Sequence, residues 1–488
     1  MELKKLLQGI EGLKAKGNID VEISSIACDS RKVKKDGLFI AINGFEVDGH
    51  DYIKQAIENG AKAIVVEQGA KIKKTDVNED TIIVVAEDSR KALAKIACNF
   101  YGNPSKKMKM IGITGTKGKT TTSFMIKDIL QKHGQTVGLI GTIANYVGDR
   151  KISDNNSRTT PESLDLQELL YKMTQVNVDT VVMEVSSQSL KLHRVYGIDF
   201  DYAVFTNFSE DHIGSKEHPD MEDYFNSKLE LIKNAKKSFI NADDFKVARI
   251  KALLPDKDIK TFGIDNDANS LAKDVNITNA HVDFRVKVGT KNERIKVGIP
   301  GRFTVYNALA AIGVTNQFGV SREEINDALG EIAVPGRCEV VPNSKELKIM
   351  IDYAHSPASL ESILKAVKGY TRGRVISVFG CGGDRDNKKR PIMGEISGRT
   401  AAYTIITSDN SRTEDPEEIV KQIEEGMKRT KGQYKVIVDR KEAIKYAISI
   451  ANKNDIIVLT GKGHETYQEV NGVKHPFDER KIIKELIG

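Results

Sequence analysis

One segment constrains the fold of this chain more than any other. An apolar run, Lys109-Met-Ile-Gly-Ile-Thr114, leads into the glycine-rich stretch Thr114-Gly-Thr-Lys-Gly-Lys-Thr120, and a helical pattern follows from Thr121 to about His133. A strand that enters a helix through such a turn predicts a β-α unit whose backbone N–H groups can surround phosphate oxygens. Lys119 would neutralise the β- and γ-phosphates of a nucleotide, and the Thr120 hydroxyl would bind Mg²⁺.

The rest of the chain alternates apolar strands with helical segments, which is typical of parallel β-α-β units. Further strands are predicted at residues 37–43, 63–67, 180–183, 203–206, 348–351, 374–379, 403–407 and 455–459. A chain of 488 residues exceeds what one hydrophobic core usually organises. We therefore predict an α/β fold of three domains: a small N-terminal α/β domain (1–104), a central doubly wound phosphate-loop domain (105–336) and a C-terminal Rossmann-like α/β domain (337–488).

Composition excludes several classes of function. The chain has 74 basic and 68 acidic residues, a formal charge of +6, and no long block of one sign, so we expect no nucleic-acid partner. No apolar run approaches the length of a membrane span, so we expect no membrane partner. The four cysteines, at positions 28, 98, 338 and 381, are far apart, which argues against a disulfide framework or a zinc site. These features predict a soluble, cytoplasmic protein.

Motifs after the phosphate loop resemble those of the Mur ligase family, and within it the MurE type. In order they are Thr159-Thr-Pro-Glu162, Glu184-Val-Ser-Ser187, Asn207-Phe-Ser-Glu-Asp-His212, Tyr224-Phe-Asn-Ser-Lys228, Asp352-Tyr-Ala-His-Ser-Pro357, Gly380-Cys-Gly-Gly-Asp-Arg385 and Gly461-Lys-Gly-His-Glu465. The resemblance extends over all three domains. It implies an ATP-dependent ligase of peptidoglycan precursor synthesis, monomeric, with a first domain that binds uridine.

The resemblance also implies the reaction and its partners. ATP phosphorylates the carboxylate of UDP-N-acetylmuramoyl-L-alanyl-D-glutamate, and the amine of meso-diaminopimelate or L-lysine then displaces phosphate. By the same resemblance the catalytic residues are Lys119, Glu184, His212 and Lys228. Two Mg²⁺ ions are implied, with Thr120, Glu184, His212 and Lys228 as ligands.

Lys228 needs a chemical change to fill that role, because an unmodified ammonium repels Mg²⁺. In the family a lysine at this position reacts with CO₂ to form a carbamate. Carbamylation requires the neutral amine, which burial and nearby cations favour. The alternative is an ordinary surface lysine on a helix from Tyr224 to Lys233. Glu184 and His212, which we expect at the ends of neighbouring strands, have plain alternatives as a helix cap and a structural histidine.

The nucleotide and the UDP-linked substrate account for two more groups of residues. ATP would be held by Thr114, Gly115, Thr116, Lys117, Gly118, Lys119 and Thr120, and by Asn307, Arg337 and Asp352. The UDP-substrate would be held by Ser30, Thr159, Thr160, Ser186 and Arg194. For Arg337 a salt bridge between domains is the alternative.

The incoming amino acid would be bound by Arg385, Asp409, Asn410, Ser411, Arg412, Gly461 and Glu465. Family members that add diaminopimelate have a D-N-P-R motif, whose arginine pairs with the distal carboxylate of that substrate. Here the motif is Asp409-Asn-Ser-Arg412, in which serine replaces proline. Because Arg412 is present, we favour meso-diaminopimelate over L-lysine.

Two other functions stay open at this point. Folylpolyglutamate synthetases share the phosphate loop, although their resemblance should not extend over a uridine-binding first domain. A non-catalytic nucleotide-binding protein would have no use for Glu184, His212, Lys228 and Arg385 together.

Overall fold

The computed structural model describes residues 1–45, 47–154, 158–214, 217–278, 280–288 and 291–488. These residues form two compact units, one made of 1–271 and 309–324 and the other of 272–308 and 325–488. Within the described ranges, no helix is both long and apolar enough to cross a membrane. The predicted α/β fold class is confirmed by the sheets and helices of both units, whereas the three domain boundaries stay a prediction.

The first unit begins with a five-stranded sheet in the order β1-β5-β4-β3-β2, parallel except for β1. Its elements are α1 (Leu3–Leu6), β1 (Lys14–Lys16), β2 (Ile26–Ala27), β3 (Gly37–Ile40), α2 (Ile53–Glu58), β4 (Ala61–Glu67), β5 (Ile82–Ala86) and α3 (Ser89–Phe100). Successive side chains of a strand point to opposite faces. Leu38 and Ile40 accordingly share a core with α3, while Phe39 packs with α2.

The central sheet of the first unit has nine strands in the order β14-β13-β12-β11-β6-β10-β7-β8-β9. Its elements are β6 (Lys109–Thr114), α4 (Lys119–Lys132), β7 (Val137–Ile140), β8 (Ala144–Val147), β9 (Arg150–Asp154), α5 (Ser163–Thr174), β10 (Thr180–Glu184), α6 (Ser187–Lys191), β11 (Phe200–Phe205), α7 (Met221–Asn234), β12 (Ala235–Asn241), α8 (Val247–Leu253), β13 (Asp258–Gly263) and β14 (Ser270–Leu271). The strands from β14 to β7 are parallel, so their carboxyl ends lie at one edge. The antiparallel hairpin β8–β9 beyond them was not predicted.

The second unit contains a three-stranded antiparallel sheet and a six-stranded sheet in the order β18-β19-β23-β20-β21-β22. Its elements are β15 (Lys273–Ile277), β16 (Val282–Val288), β17 (Lys291–Val297), α9 (Arg302–Thr315), α10 (Arg322–Gly330), β18 (Glu339–Val340), β19 (Lys348–Asp352), α11 (Pro357–Tyr370), β20 (Val375–Phe379), α12 (Lys389–Thr400), β21 (Tyr403–Ile406), α13 (Pro416–Met427), β22 (Gln433–Val436), α14 (Arg440–Ile450), β23 (Ile456–Thr460), β24 (Tyr467–Val470), β25 (Val473–Pro476) and α15 (Glu479–Ile487). Residues 309–315 of α9 and 322–324 of α10 are assigned to the first unit.

Several predicted boundaries are wrong by a few residues. The helix after the phosphate loop begins at Lys119 rather than Thr121. The helix that carries Lys228 begins at Met221, because the Asp220 carboxylate accepts hydrogen bonds from the first free N–H groups of that helix. Strand β11 ends at Phe205, so the prediction that His212 ends a strand is wrong.

Candidate functional site

Residues that follow β11 hold the phosphate loop in place through hydrogen bonds. Gly115 has a φ of 138°, and a side chain there would collide with the Thr206 hydroxyl. That hydroxyl donates to the Lys117 carbonyl oxygen at 2.6 Å. The Asn207 side chain accepts from the Lys117 N–H at 2.9 Å and donates to the Lys117 carbonyl at 3.0 Å. The loop is therefore held in one conformation, and its place between strand and helix is the one predicted.

The side-chain nitrogens of two lysines meet at the carbonyl oxygen of Gly115. Lys119 Nζ donates to this oxygen at 2.9 Å and to the Thr116 carbonyl at 3.1 Å. Lys228, on α7, donates to the same Gly115 oxygen at 2.9 Å and lies 4.3 Å from the ring centroid of Tyr224. The structure thus brings together two of the predicted catalytic residues.

Lys228 is far from an ordinary surface lysine. Only 1% of it is exposed. Its burial, and then the positive charge of Lys119, hold the pKa of Lys228 well below its usual value. This environment favours the neutral amine form of the Lys228 side chain.

Glu184, at the end of β10, receives hydrogen bonds from two threonines. Thr120 Oγ1 donates to Glu184 Oε2 at 2.9 Å. The N–H of Thr142 donates to Oε1 at 2.8 Å and its hydroxyl donates to Oε2 at 3.0 Å. A carboxylate beside the phosphate-loop hydroxyl is an all-oxygen donor set, which fits Mg²⁺. The sequence analysis missed Thr142, because it did not predict the strand β7 that precedes this residue.

Two histidines, His212 and His218, lie in the segment that follows β11, and in the described part of the chain neither forms a hydrogen bond with Glu184. The ring of His212 is half exposed, and its Nδ1 lies 3.0 Å from Glu217 Oε2. The ring of His218 is buried, with Nδ1 2.6 Å from Asp223 Oδ2 and Nε2 2.9 Å from Ser187 Oγ. Among the described residues, no group of three or more His, Cys, Asp or Glu side chains is arranged to hold a metal. Residues 215 and 216 of the same segment lie outside the described ranges.

Most predicted UDP-substrate residues lie beside Glu184. The Thr160 hydroxyl donates to the Glu184 carbonyl oxygen at 2.9 Å and accepts from the Ser186 N–H at 3.1 Å. Arg194 Nη1 donates to the Thr160 carbonyl at 3.3 Å. The Thr159 hydroxyl is 3.1 Å from that of Thr142. These hydroxyls form one hydrogen-bonded group at the carboxyl edge of the central sheet.

Arg194 has an acidic partner that the sequence analysis did not assign. Its Nε lies 2.9 Å from Glu162 Oε1, and Arg194 itself is buried. Ser30 lies elsewhere, in the N-terminal sheet region, where its hydroxyl donates to Gln55 Oε1 at 2.7 Å. The structure therefore groups four of the five predicted residues and leaves Ser30 apart from them in the hydrogen-bond network.

In the second unit, Asp352 and Arg337 lie close to one another at the end of β19. The Asp352 carboxylate accepts from the Cys338 N–H at 2.8 Å and from the Ala354 N–H at 2.9 Å. The guanidinium of Arg337 stacks over the Tyr353 ring, 4.7 Å from its centroid. Asn307, the third predicted ATP residue of this unit, is buried on α9.

Except for Arg385, the predicted amino-acid residues gather where β21 and β23 end. Asn410 Nδ2 donates to Glu465 Oε2 at 2.9 Å. Gly461 has a φ of 108°, and a side chain there would collide with the Asp409 carboxylate. Lys462, which the sequence analysis did not assign, donates to Asn410 Oδ1 at 2.7 Å and to Glu465 Oε2 at 2.8 Å. These residues form a single polar cluster.

The two predicted arginines differ in their surroundings. Arg412 has a φ of 51°, and its Nη1 donates to the Gly383 carbonyl at 2.5 Å. Ser411, which replaces the proline of the family motif, is buried, and its hydroxyl has no partner in the described part of the chain. Arg385 is exposed on the loop that follows β20.

Two buried arginines donate hydrogen bonds to backbone carbonyl groups of these loops. Arg440 pairs with Glu479 at 2.9 Å, and it also donates to the carbonyls of Ser408 at 3.2 Å and Thr460 at 2.8 Å. Arg390 pairs with Glu414 at 2.8 Å and donates to the Gly382 carbonyl at 3.2 Å. Both arginines connect loops that are far apart in sequence, and the sequence analysis missed them.

Comparison with known proteins covers the whole chain. Family models match residues 22–101 (Mur ligase family, catalytic domain), 113–315 (Mur ligase middle domain) and 336–463 (Mur ligase, glutamate ligase domain). The chain is 49% identical to the UDP-N-acetylmuramoyl-L-alanyl-D-glutamate–2,6-diaminopimelate ligase of Caldanaerobacter subterraneus subsp. tengcongensis. It is 46% identical to UDP-N-acetylmuramoyl-L-alanyl-D-glutamate–2,6-diaminopimelate ligase 1 of Clostridium acetobutylicum. Each alignment covers 100% of this chain and 99% of the relative.

Solved structures agree with this result. A structure of a UDP-N-acetylmuramoyl-L-alanyl-D-glutamate–2,6-diaminopimelate ligase aligns with a TM-score of 0.71 and 28% identity, over 100% of this chain and 98% of the other. Folylpolyglutamate synthase of Mycobacterium tuberculosis complexed with ADP aligns over 76% of this chain and 91% of its own, with a TM-score of 0.63 and 17% identity, which shows a shared fold alone. The predicted family is confirmed: this chain belongs to the Mur ligase family.

Proposed function

We propose that this protein is an ATP-dependent ligase that adds meso-diaminopimelate to the D-glutamate of UDP-N-acetylmuramoyl-L-alanyl-D-glutamate, a step of peptidoglycan precursor synthesis. The observation that carries this proposal is the 49% identity, over the whole chain, to a relative named as the ligase of these substrates. ATP use is supported by the phosphate loop and by the ADP complex of a Thermotoga maritima MurF ligase, which has the same fold at 20% identity.

Two bond exchanges make up the reaction. The D-glutamate carboxylate attacks the γ-phosphorus of ATP, the bond from this phosphorus to the β–γ bridging oxygen breaks, and ADP leaves. The amine of diaminopimelate then attacks the acyl carbon, the bond from carbon to the phosphate oxygen breaks, and inorganic phosphate leaves as the amine loses a proton. The backbone N–H groups of residues 115–120 and the ammonium of Lys119 would hold the phosphate oxygens during the first exchange.

Mg²⁺ would be held by Thr120 and Glu184, whose oxygens already lie 2.9 Å apart. When bound, Mg²⁺ neutralises charge on the phosphate oxygens. We propose that a second ion is held with the help of His212 and of Lys228 in its carbamate form. Support for the carbamate comes from the burial of Lys228 beside Lys119, which favours the neutral amine.

We assign the other predicted residues to the parts of the three substrates that they would bind. Thr159, Thr160, Ser186 and Arg194 would bind the muramoyl-dipeptide region, and Ser30 the uridine end. Asn307, Arg337 and Asp352 would hold ATP, and Arg385, Asp409, Asn410, Ser411, Arg412, Gly461 and Glu465 the incoming amino acid. A guanidinium pairs well with a carboxylate and poorly with an ammonium. Arg412 therefore favours diaminopimelate, which has a distal carboxylate, over L-lysine.

We also propose that the protein works in the cytoplasm, because ATP and nucleotide-linked precursors are cytoplasmic metabolites. It would act as a monomer, as the resemblance to the Mur ligase family implies. We further propose that the chain divides into three domains, with boundaries after residues 104 and 336.

The test is phosphate release from ATP with UDP-N-acetylmuramoyl-L-alanyl-D-glutamate, in parallel reactions with meso-diaminopimelate and L-lysine. Mass spectrometry identifies the product. We expect a tripeptide product with diaminopimelate and little with lysine. A preference for lysine would overturn the role given to Arg412, and the absence of product with both amines would refute the proposed function.

A further inference from the structure

Lys462 follows β23 and is completely buried, with 0% of its side chain exposed. Most lysines keep the ammonium in water, because an unpaired buried charge is costly. Here Nζ donates to Asn410 Oδ1 at 2.7 Å and to Glu465 Oε2 at 2.8 Å, and it lies 4.0 Å from Asp409 Oδ1. Among the described residues, its hydrogen-bond acceptors are Asn410 and Glu465, and Nζ also lies 5.3 Å from the ring centroid of Tyr467.

This contact fixes the orientation of the Asn410 amide. An ammonium can only donate, so the amide atom that faces it must be the oxygen. The same oxygen accepts the Glu469 N–H at 2.9 Å. The amide nitrogen must then face Glu465, and it donates to Oε2 of that carboxylate at 2.9 Å.

Glu465 is fixed as a result. Its Oε2 accepts from both Lys462 and Asn410, whereas Oε1 has no hydrogen-bond partner among the residues that the structure describes. Glu465 is partly exposed, with 15% of its side chain accessible. One carboxylate oxygen is thus committed to the protein, and the other is left to accept a hydrogen bond from a ligand.

The cluster also has the charge that an ammonium ligand needs. Asp409, Glu465 and Lys462 together carry a net charge of −1. Burial by itself raises the pKa of Asp409, but the charges of Lys462 and Arg440 outweigh it and hold that pKa below its usual value. Lys462 therefore favours the ionised form of the Asp409 carboxylate.

We propose that Lys462 is a positioning residue of this enzyme: its ammonium holds Asn410 and Glu465 so that Glu465 Oε1 accepts an ammonium group of the incoming amino acid. This inference rests on the proposed function, since it concerns the amino-acid substrate of that reaction. Lys462 does not touch the substrate, and it acts through Glu465. It should therefore affect binding of the amino acid and leave acyl-phosphate formation, which precedes that binding, intact.

The test uses full-length protein with four changes: Lys462→Met, Glu465→Gln, both together, and Lys445→Met. Lys445 is the control, a lysine of the same unit with 61% of its side chain exposed. KM is measured separately for diaminopimelate, ATP and the UDP-substrate. Formation of acyl phosphate is followed as ADP released in the first turnover without amino acid.

For Lys462→Met we expect KM for diaminopimelate to rise about tenfold or more, as for loss of a hydrogen bond to a charged group. KM for the two other substrates and the first-turnover ADP should change by less than about twofold. In the Glu465→Gln background the further effect of Lys462→Met should largely vanish, because the two residues act as one unit. Lys445→Met should match the wild type.

Equal changes in all three KM values, or effects that simply add in the double variant, would overturn the proposal and leave a purely structural lysine. If Lys462→Met does not fold, Lys462→Arg keeps the charge with a different geometry, and the same selective rise in KM for diaminopimelate is expected. An unchanged KM for diaminopimelate in Lys462→Arg would count against positioning. Failure of the wild type to form product is a separate result, which refutes the proposed function.

Discussion

Replacing Arg440 with methionine should lower the free energy of unfolding of the second unit by about 3–5 kcal/mol. The side chains of Arg440 and Glu479 are 0% and 1% exposed. Methionine fills similar space but leaves the Glu479 carboxylate buried without its cation. It also removes the donors to the carbonyls of Ser408 and Thr460. Loss of one partner from a buried pair is costly because the remaining charge cannot reach water.

The same two helices offer a matched control. Lys441 on α14 and Glu485 on α15 form an ion pair of 3.0 Å whose side chains are 51% and 62% exposed. Water screens such a pair, so Lys441→Met should cost about 1 kcal/mol or less. The two variants remove the same charge between the same elements and differ mainly in burial.

Urea unfolding followed by far-ultraviolet circular dichroism measures both changes. With an m-value of about 3 kcal/mol per molar urea, Arg440→Met should lower the midpoint by about 1 M or more. Hydrogen exchange of peptides from β21 and β23 should locate the loss in the second unit. The double variant Arg440→Met with Glu479→Leu should recover part of the stability, because it removes both charges. If Arg440→Met costs no more than Lys441→Met, the reasoning from burial is refuted.

Three further predictions concern activity. Lys228→Ala should lose most phosphate release with all substrates present and recover part of it when a small carboxylate such as acetate is added; failure of both would remove the proposed role of the carbamate. Arg412→Ala should raise KM for diaminopimelate by about 10- to 100-fold, the size of a lost charge-assisted hydrogen bond, with KM for ATP as control; an unchanged KM would show that this guanidinium does not bind the substrate. Gly115→Ala should abolish ATP binding measured by calorimetry, since its side chain would collide with Thr206, and Gly134→Ala, where nothing lies near the added carbon, is the control; normal binding by Gly115→Ala would contradict the loop geometry.

Local features of the site could be predicted from the sequence because neighbours in the chain determine them. The phosphate loop is of this kind, since a strand, two glycines and a helix start follow each other directly. The rule that parallel strands end at one edge also predicted where Glu184 and the residues from 409 to 412 would lie. It does not apply to His212, because the chain runs on well past β11 before reaching that residue.

Features that depend on contacts between distant segments could not be predicted. The chain has many lysines, and nothing in the local sequence distinguishes the buried Lys462 from the exposed Lys445. Arg440 and Glu479 are 39 residues apart, and each stands at the start of a helix, where a charged residue is usually solvated. Thr142 became a candidate only when the structure placed it against Glu184.

The contacts of Lys119 bear on the energetics of nucleotide binding. Its ammonium already has two acceptors, the carbonyl oxygens of Gly115 and Thr116. A nucleotide that engages this ammonium therefore meets a charge that the loop already orients and partly satisfies. Its contact with Lys119 adds less to affinity than a contact with an unsatisfied charge would. A triphosphate offsets this loss through its greater negative charge, so weakly charged ligands should bind this loop poorly.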